Sequence, residues 1–372
     1  MIIHRNPSIV FNSVFGKISI CSPYLWRPGI DSSKPLFDEM KIYNNARSNT
    51  VNRALTDFGI EESFARGAAR FKEHYHYGIG PSAVDSATKD TAMKAMDYIA
   101  NRLSDIDSDS LQGKTIATIL VEMDGCEIRT AEFVPAEDSK ETTPVYNNPK
   151  KNRIMKWRDV RLGFARPLES PDKTFVGKMD SYETVVNQIH SAAVIVGMTP
   201  ETKVIGVADG GIGLREELER QFPNMQFILD KTHLKDHLYD TAEALGINQK
   251  DRPGWVEPRI RDISDGNVES ILKELEEENK TNPNDRSKRL IGYLTRFNDA
   301  LDYNDYKLKG YPIGSGEIES AHKSIPQKRL KIPGASWNPA SIDPMLSLRI
   351  LRANNWWEDF WHKQADEYLL AA

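Results

Sequence analysis

The chain has 372 residues, of which 39% are apolar and 28% charged, so it has the make-up of an ordinary soluble globular protein with room for two or three domains. No apolar run nears the ~20 residues that span a bilayer, the start carries no signal-peptide pattern, and Cys21 and Cys126 form no CxxC pair; membrane spans, a disulfide framework and a structural zinc are therefore not expected, and a cytoplasmic location is. The net charge of -5 argues mildly against nucleic acid, but a basic track beside an acidic metal site would nearly cancel in that sum.

Residues 8–30 are rich in Ile, Val, Phe and Ser and punctuated by Gly16 and Pro23, which predicts a small β element within an N-terminal segment, 1–43. Residues 44–110 read as helical and as the candidate DNA-binding region. Val51, Leu55 and Phe58, then Phe64, Ala68 and Phe71, recur at helical spacing. The break at Gly78-Ile79-Gly80-Pro81-Ser82 precedes a third helix over 83–103. This pattern matches either a helix-turn-helix or a plain helical bundle.

From residue 115 the pattern turns to strands. Residues 116–123 are an almost continuous apolar run ending in Asp124-Gly125, as a buried central strand requires. Residues 126–134 and 157–165 read as further strands of a meander, separated by a polar loop over 135–152. A helix over 182–196 and a buried strand over 204–208, ending in Asp209-Gly210, come next. A helix over 214–222 and a third buried strand over 227–229, ending at Asp230, complete the order β-β-β-α-β-α-β. That order predicts an α/β fold with a ribonuclease H-like mixed sheet, residues 111–234 and 311–352. Residues 235–310, helical and highly charged with a turn at Asn282-Pro283-Asn284-Asp285, read as an all-helical insertion domain. Its acidic run 274–278 reads as a solvated helix face. The C-terminal tail, 353–372, carries Trp356, Trp357, Phe360 and Trp361, which read as a packing cluster.

The chemistry concentrates at the strand ends. A carboxylate after a hydrophobic strand lies at the sheet edge, where ligands of open α/β sheets bind. Two such carboxylates, Asp124 and Asp209, could not both stay ionised at close range without a cation between them. Hard divalent ions such as Mg²⁺ take oxygen ligands and keep positions open for phosphate oxygens, and two of them stabilise an in-line displacement. Against this stands the common use of Asp-Gly as a plain turn. A third carboxylate is available in Gly314-Ser315-Gly316-Glu317-Ile318-Glu319-Ser320-Ala321-His322-Lys323. Glu317 and Glu319 leave a helix in different directions, so one of them can line the site, and spacing alone does not choose between them.

These residues resemble those of DDE transposases of bacterial insertion sequences, the ISKra4-like group, with Mutator-type enzymes more distant. The resemblance runs along nearly the whole chain. It is carried by Phe15-Gly16-Lys17-Ile18, Met123-Asp124-Gly125, Ala208-Asp209-Gly210-Gly211 and Leu229-Asp230-Lys231-Thr232-His233, and most specifically by Pro312 to Lys323. It implies metal-dependent DNA cleavage and strand transfer by Asp124, Asp209 and Glu319, which would also bind two Mg²⁺ ions, with Mn²⁺ as substitute. Glu317 falls where the family usually has an apolar residue, and Asp230, His233 and Glu317 take supporting roles. The implied partners are double-stranded DNA, as element ends and target, and a second copy of the chain; the implied setting is the nucleoid. The resemblance also accounts for the long stretch between Asp209 and Glu319 by a helical insertion. The chain departs from the pattern in having no cysteine-rich N-terminal region and in Pro326, which is expected to interrupt the helix after Glu319.

Two basic tracks are candidates for DNA binding: Lys150, Lys151, Arg153, Lys156 and Arg158, and Lys323, Lys328, Arg329 and Lys331. The alternative reading is a repurposed or inactive transposase that binds DNA without cutting it. A haloacid dehalogenase-like phosphohydrolase would need a nucleophilic Asp two residues before Asp124, where Glu122 stands.

Overall fold

The structure is a computed structural model and describes residues 2–40, 42–43, 45–104, 116–135, 143–145 and 148–370. The chain divides into two compact units. One comprises Leu103–Ile128 and Trp157–Ser324; the other comprises Met1–Arg102, Arg129–Lys156 and Ile325–Ala372. The segment from residue 325 onward thus groups with the N-terminal region. The boundary expected at 110/111 lies outside the described residues.

The first unit is built on a mixed sheet. Along the main path of this six-stranded sheet, parts of which fall in the other unit, the strands are Thr174–Lys178, Asn148–Pro167, Thr118–Pro135, Lys203–Ala208 and Gln226–Leu229, and Thr143–Val145 pairs with Asn148–Pro167 off that path. Numbered by sequence along this path, the order is 3-2-1-4-5. Thr174–Lys178 runs antiparallel to its neighbour, whereas the last two strands pair parallel, with each other and with the central strand. The two parallel strands are apolar throughout their inner stretch: Ile205, Val207, Ala208, Ile228 and Leu229 are fully buried, as a strand covered on both faces must be. The helix Tyr182–Ile195, capped by Ser181 Oγ accepting from the Thr184 N–H, packs on Thr174–Lys178, and its Val185, Val186 and Ile189 are fully buried. Each such buried side chain contributes about 1.5–3 kcal/mol.

Three expectations for this sheet are corrected: the polar loop expected over 135–152 contains the strand Thr143–Val145 and the start of the strand Asn148–Pro167, and two more concern the strands themselves. The central strand does not end at Asp124-Gly125 but continues to Pro135, because Gly125 sits in open space with ordinary extended backbone. The strand counted from residue 126 is therefore the second half of the first. The missing meander strand is Thr174–Lys178, whose buried Thr174 and Val176 alternate with outward residues.

Helices follow. Lys231–Ala244, Arg252–Ser264, Val268–Thr281 and Asp285–Arg296 pack each against the next, and the last against the first. Leu234, Leu238, Val256, Ile263, Leu275 and Leu294 fill the space between them. In the acidic run 274–278, Leu275 is buried while Glu274, Glu276 and Glu277 are exposed.

The second unit begins with two three-stranded sheets. In one of them, Ser8–Ser13 and Gly16–Cys21 form a hairpin in which Gly16 takes φ +119°, a conformation that disfavours a side chain. Three helices come next, Asn49–Glu61, Phe64–Tyr75 and Pro81–Ser104. They share a core of Val51, Leu55, Phe58, Phe71 and Val84. Pro326 lies in a π turn, Lys323–Gln327, between Gly316–His322 and Lys328–Leu330, so the backbone widens there rather than stopping. Trp356, Trp357, Phe360 and Trp361 are buried. Among the described residues, no helix is long and apolar enough to cross a membrane.

Candidate metal centre

Strand register brings the acidic residues level with one another. Val207 pairs with Glu122, and Ala208 pairs with Leu229. Two residues further along the first register, Asp209 stands level with Asp124; one residue further along the second, it stands level with Asp230. Register partners in parallel strands share a face, so three neighbouring strands present aspartates together.

Asp124 is half-buried. Its Oδ1 accepts the Gly125 N–H at 2.7 Å, and its Oδ2 lies 3.8 Å from His322 Nε2. Burial holds the Asp124 carboxyl above the usual carboxylate range, and the negative charge of Asp209 pushes the same way. His322, the Gly125 N–H and His233 oppose them. The charge of Asp124 therefore feels Asp209 on one side and His233 and His322 on the other. Asp209 Oδ1 accepts the Gly211 N–H at 2.9 Å, and its backbone carbonyl accepts the Tyr293 hydroxyl at 2.6 Å. Gly210 is required here: φ is +77°, and a Cβ would stand 2.8–2.9 Å from Leu229, Phe297 and Tyr293.

Asp230 is fully buried and caps the helix Lys231–Ala244. Its Oδ1 accepts the N–H groups of Thr232 and His233 at 2.6 and 2.9 Å. Its Oδ2 accepts the N–H and the hydroxyl of Ser315, both at 2.5 Å. A further bond from the Lys231 N–H to the Ile313 carbonyl, 2.9 Å, closes the attachment of the glycine loop. One carboxylate thus fixes both the start of the helix bearing His233 and the loop that opens the helix bearing Glu319.

Asp230, His233 and Glu319 each offer a ligand atom, all within 4.8 Å of one another, a group able to hold a metal ion. Within it Asp230 differs from Glu319. Both Asp230 oxygens already accept two donors, whereas the Glu319 carboxylate is partly exposed, with Oε1 4.0 Å from His233 Nε2. To bind an ion, Asp230 would have to release a buried donor, at a cost of about 1–3 kcal/mol. Asp230 therefore acts as a positioning residue.

The two glutamates of the loop separate as helical geometry requires. Glu317 accepts from Arg166 Nε and Nη2 at 3.1 and 2.6 Å and pairs with Lys173 Nζ at 2.8 Å. Burial alone would raise its carboxyl; these two cations more than offset that and hold it below the usual range. Glu317 is engaged in a structural ion pair, and Glu319 is left beside Asp230 and His233.

Two residues of the centre were not singled out from the sequence. Glu122, 1% exposed, accepts the Ile318 N–H at 3.0 Å and so caps the helix Gly316–His322 from the neighbouring strand. Its other oxygen, Oε1, is buried with no hydrogen-bond partner among the described residues. Burial, with Glu317 and Asp230, pushes this carboxyl up to about 8 against the Ile318 N–H and Arg166. His322 is 2% exposed beside Asp124. The i, i+3 spacing from Glu319 was the available signal for His322, and the position two before Asp124 was the signal for Glu122.

The basic tracks are less uniform than their sequences. Lys150 and Lys151 lie on the strand Asn148–Pro167, but their side chains are outside the described ones. Arg153 and Arg158 are half-buried, and Lys156, Lys323 and Lys331 are exposed. Lys328 pairs with Glu61 at 2.6 Å. Arg329 corrects the expectation of a phosphate contact. It is 3% exposed, donates to the Gly59 carbonyl at 2.8 Å and stacks on Phe64 and Trp337. No family model matches the chain, and no curated protein sequence matches it.

Proposed function

We propose that the chain is a DDE transposase: a metal-dependent polynucleotidyl transferase that hydrolyses one strand at an element's end and joins the freed 3′-hydroxyl to target DNA. The observation that carries this reading is the register that, continued two residues past Val207 and Glu122, sets Asp209 level with Asp124; Glu319 groups with Asp230 and His233, and His233 acts electrostatically on Asp124. The sheet order 3-2-1-4-5, with Thr174–Lys178 antiparallel to its neighbour and two parallel pairs on the other side, supports a ribonuclease H-like fold interrupted by a helical insertion.

The donor chemistry fits hard divalent cations. Asp124 and Asp209 repel one another, and their free oxygens, with those of Glu319, are the ligands Mg²⁺ or Mn²⁺ takes. Two such ions, when bound, would supply the charge that offsets the developing negative oxygens of the phosphate and acidify the attacking water. Asp124 and Asp209 hold their carboxylates in fixed orientation through the Gly125 and Gly211 N–H groups. His233, in the first turn of its helix, presents Nε2 beside Glu319, where it can donate to a phosphate oxygen. Lys156, Lys323 and Lys331 are exposed cations available to a DNA backbone, and binding through them should weaken as salt rises. A homodimer follows from the need to cut two ends together.

The test is nicking of supercoiled plasmid by the purified chain with Mg²⁺ or Mn²⁺. The expected result is divalent-dependent nicks that vanish in Asp209→Asn. DNA binding that survives Asp209→Asn, with no product from either protein, would instead identify a DNA-binding remnant.

A further inference from the structure

We propose that His322 is a metal ligand, which makes the centre a mixed imidazole–carboxylate site that selects Mn²⁺ over Mg²⁺. This inference rests on the metal-dependent reading above and goes beyond its carboxylates. His322 follows Glu319 by three residues, on the same side of the helix Gly316–His322. That helix turns the imidazole inward, 2% exposed, with Nε2 3.8 Å from Asp124 Oδ2. This separation is too long for a hydrogen bond. It is shorter than the sum of two metal–ligand bonds of ~2.1 Å each, so one ion can touch both atoms. The same relation recurs on the other side of the centre, where His233 Nε2 and Glu319 Oε1 are 4.0 Å apart. Each imidazole thus faces a carboxylate across a distance that an ion fits and a hydrogen bond does not.

The chemical consequence is selectivity. Mg²⁺ takes oxygen almost exclusively and keeps its waters, whereas Mn²⁺ accepts imidazole nitrogen and carboxylate oxygen together. An all-carboxylate centre would separate the two ions little; one carrying His322 should favour Mn²⁺ by tenfold or more, on the order of the effects seen when a metal site loses a supporting partner.

The experiment is pulsed electron paramagnetic resonance on the full chain loaded with Mn²⁺, read for ¹⁴N modulation from a coordinated imidazole. Wild-type protein and His233→Gln should both show the modulation. His322→Asn added to His233→Gln, verified as folded by circular dichroism, should lose it and bind Mn²⁺ at least ~10-fold more weakly than His233→Gln alone, with a smaller change for Mg²⁺. Mn²⁺ bound to His233→Gln without nitrogen modulation would overturn the assignment of His322 while leaving the carboxylate centre intact, and this arm decides even where His322→Asn does not fold. Failure of the wild-type chain to bind Mn²⁺ at all would overturn the metal-dependent reading itself.

Discussion

Asp209 and Asp230 end neighbouring strands at the same level, yet they are held in opposite ways. Asp209 takes one side-chain hydrogen bond, from the Gly211 N–H, and stays half-buried. Asp230 takes four and is sealed from solvent. Asp124, on the far side of Asp209, resembles Asp209: one backbone donor and partial exposure. A carboxylate that keeps free lone pairs at the sheet edge can take an ion; one that is saturated can only organise its surroundings. The same division separates Glu319 from Glu317, two residues apart, where Arg166 and Lys173 engage Glu317.

The division predicts distinct failures. The largest effect belongs to Asp209→Asn and Asp124→Asn. Each should lower plasmid nicking by roughly 10³-fold or more, since several kcal/mol of transition-state stabilisation are lost at tenfold per ~1.4 kcal/mol. Neither should move the thermal midpoint much; a large drop in stability would place these residues with Asp230 instead. Asp230→Ala is expected to act through the fold. It strands the buried Ser315 and helix-start donors, which at ~1–3 kcal/mol for each buried group amounts to about 4 kcal/mol in denaturant unfolding. Unchanged unfolding would break the contrast.

Glu122 gives a pH signature in the metal-free chain. Its carboxyl rises from the ordinary 4.5 to about 8 in the folded protein. The folded state therefore holds a proton that the unfolded chain releases above its own value. This contribution is complete below pH ~4.5, declines as pH rises, and is gone above about 8. Glu122→Gln, which cannot ionise, should flatten the pH–stability curve across that window by up to roughly 5 kcal/mol. Parallel curves for the two proteins would show that Glu122 ionises normally. The smallest effect is expected for Glu317→Gln. A partly exposed ion pair is lost, worth about 1 kcal/mol of stability, and nicking should stay within about tenfold of wild type. Loss of nicking as complete as that in Glu319→Gln would move the third carboxylate to Glu317.

Much of the sheet was legible because buried parallel strands are continuous apolar runs. Residues 204–208 and 227–229 lie within the observed strands Lys203–Ala208 and Gln226–Leu229. The two Asp-Gly pairs show where legibility stopped. They look alike in sequence, but Gly210 is forced by positive φ and close neighbours, whereas Gly125 is a passing residue in a strand that continues. Thr174–Lys178 is not legible in the sequence because five residues after Pro171 and Asp172 carry too short an alternation to stand out. The three aspartates were visible as types, but their registers and the saturation of Asp230 depend on Ser315, distant in sequence. Arg329 failed as a surface cation for the same reason: Gly59 and Phe64, its partners, lie far back in the chain. Glu122 and His322 were in view as letters, but only tertiary structure faces one toward Ile318 and the other toward Asp124.

The most direct test of the central claim is anomalous diffraction from a crystal of the chain soaked in Mn²⁺. The account predicts a peak between Asp124 and Asp209 with Glu319 in contact, while Asp230 keeps its bonds to Ser315. A crystal without such a peak, or with manganese seated on Asp230 and the other two aspartates apart, would contradict it.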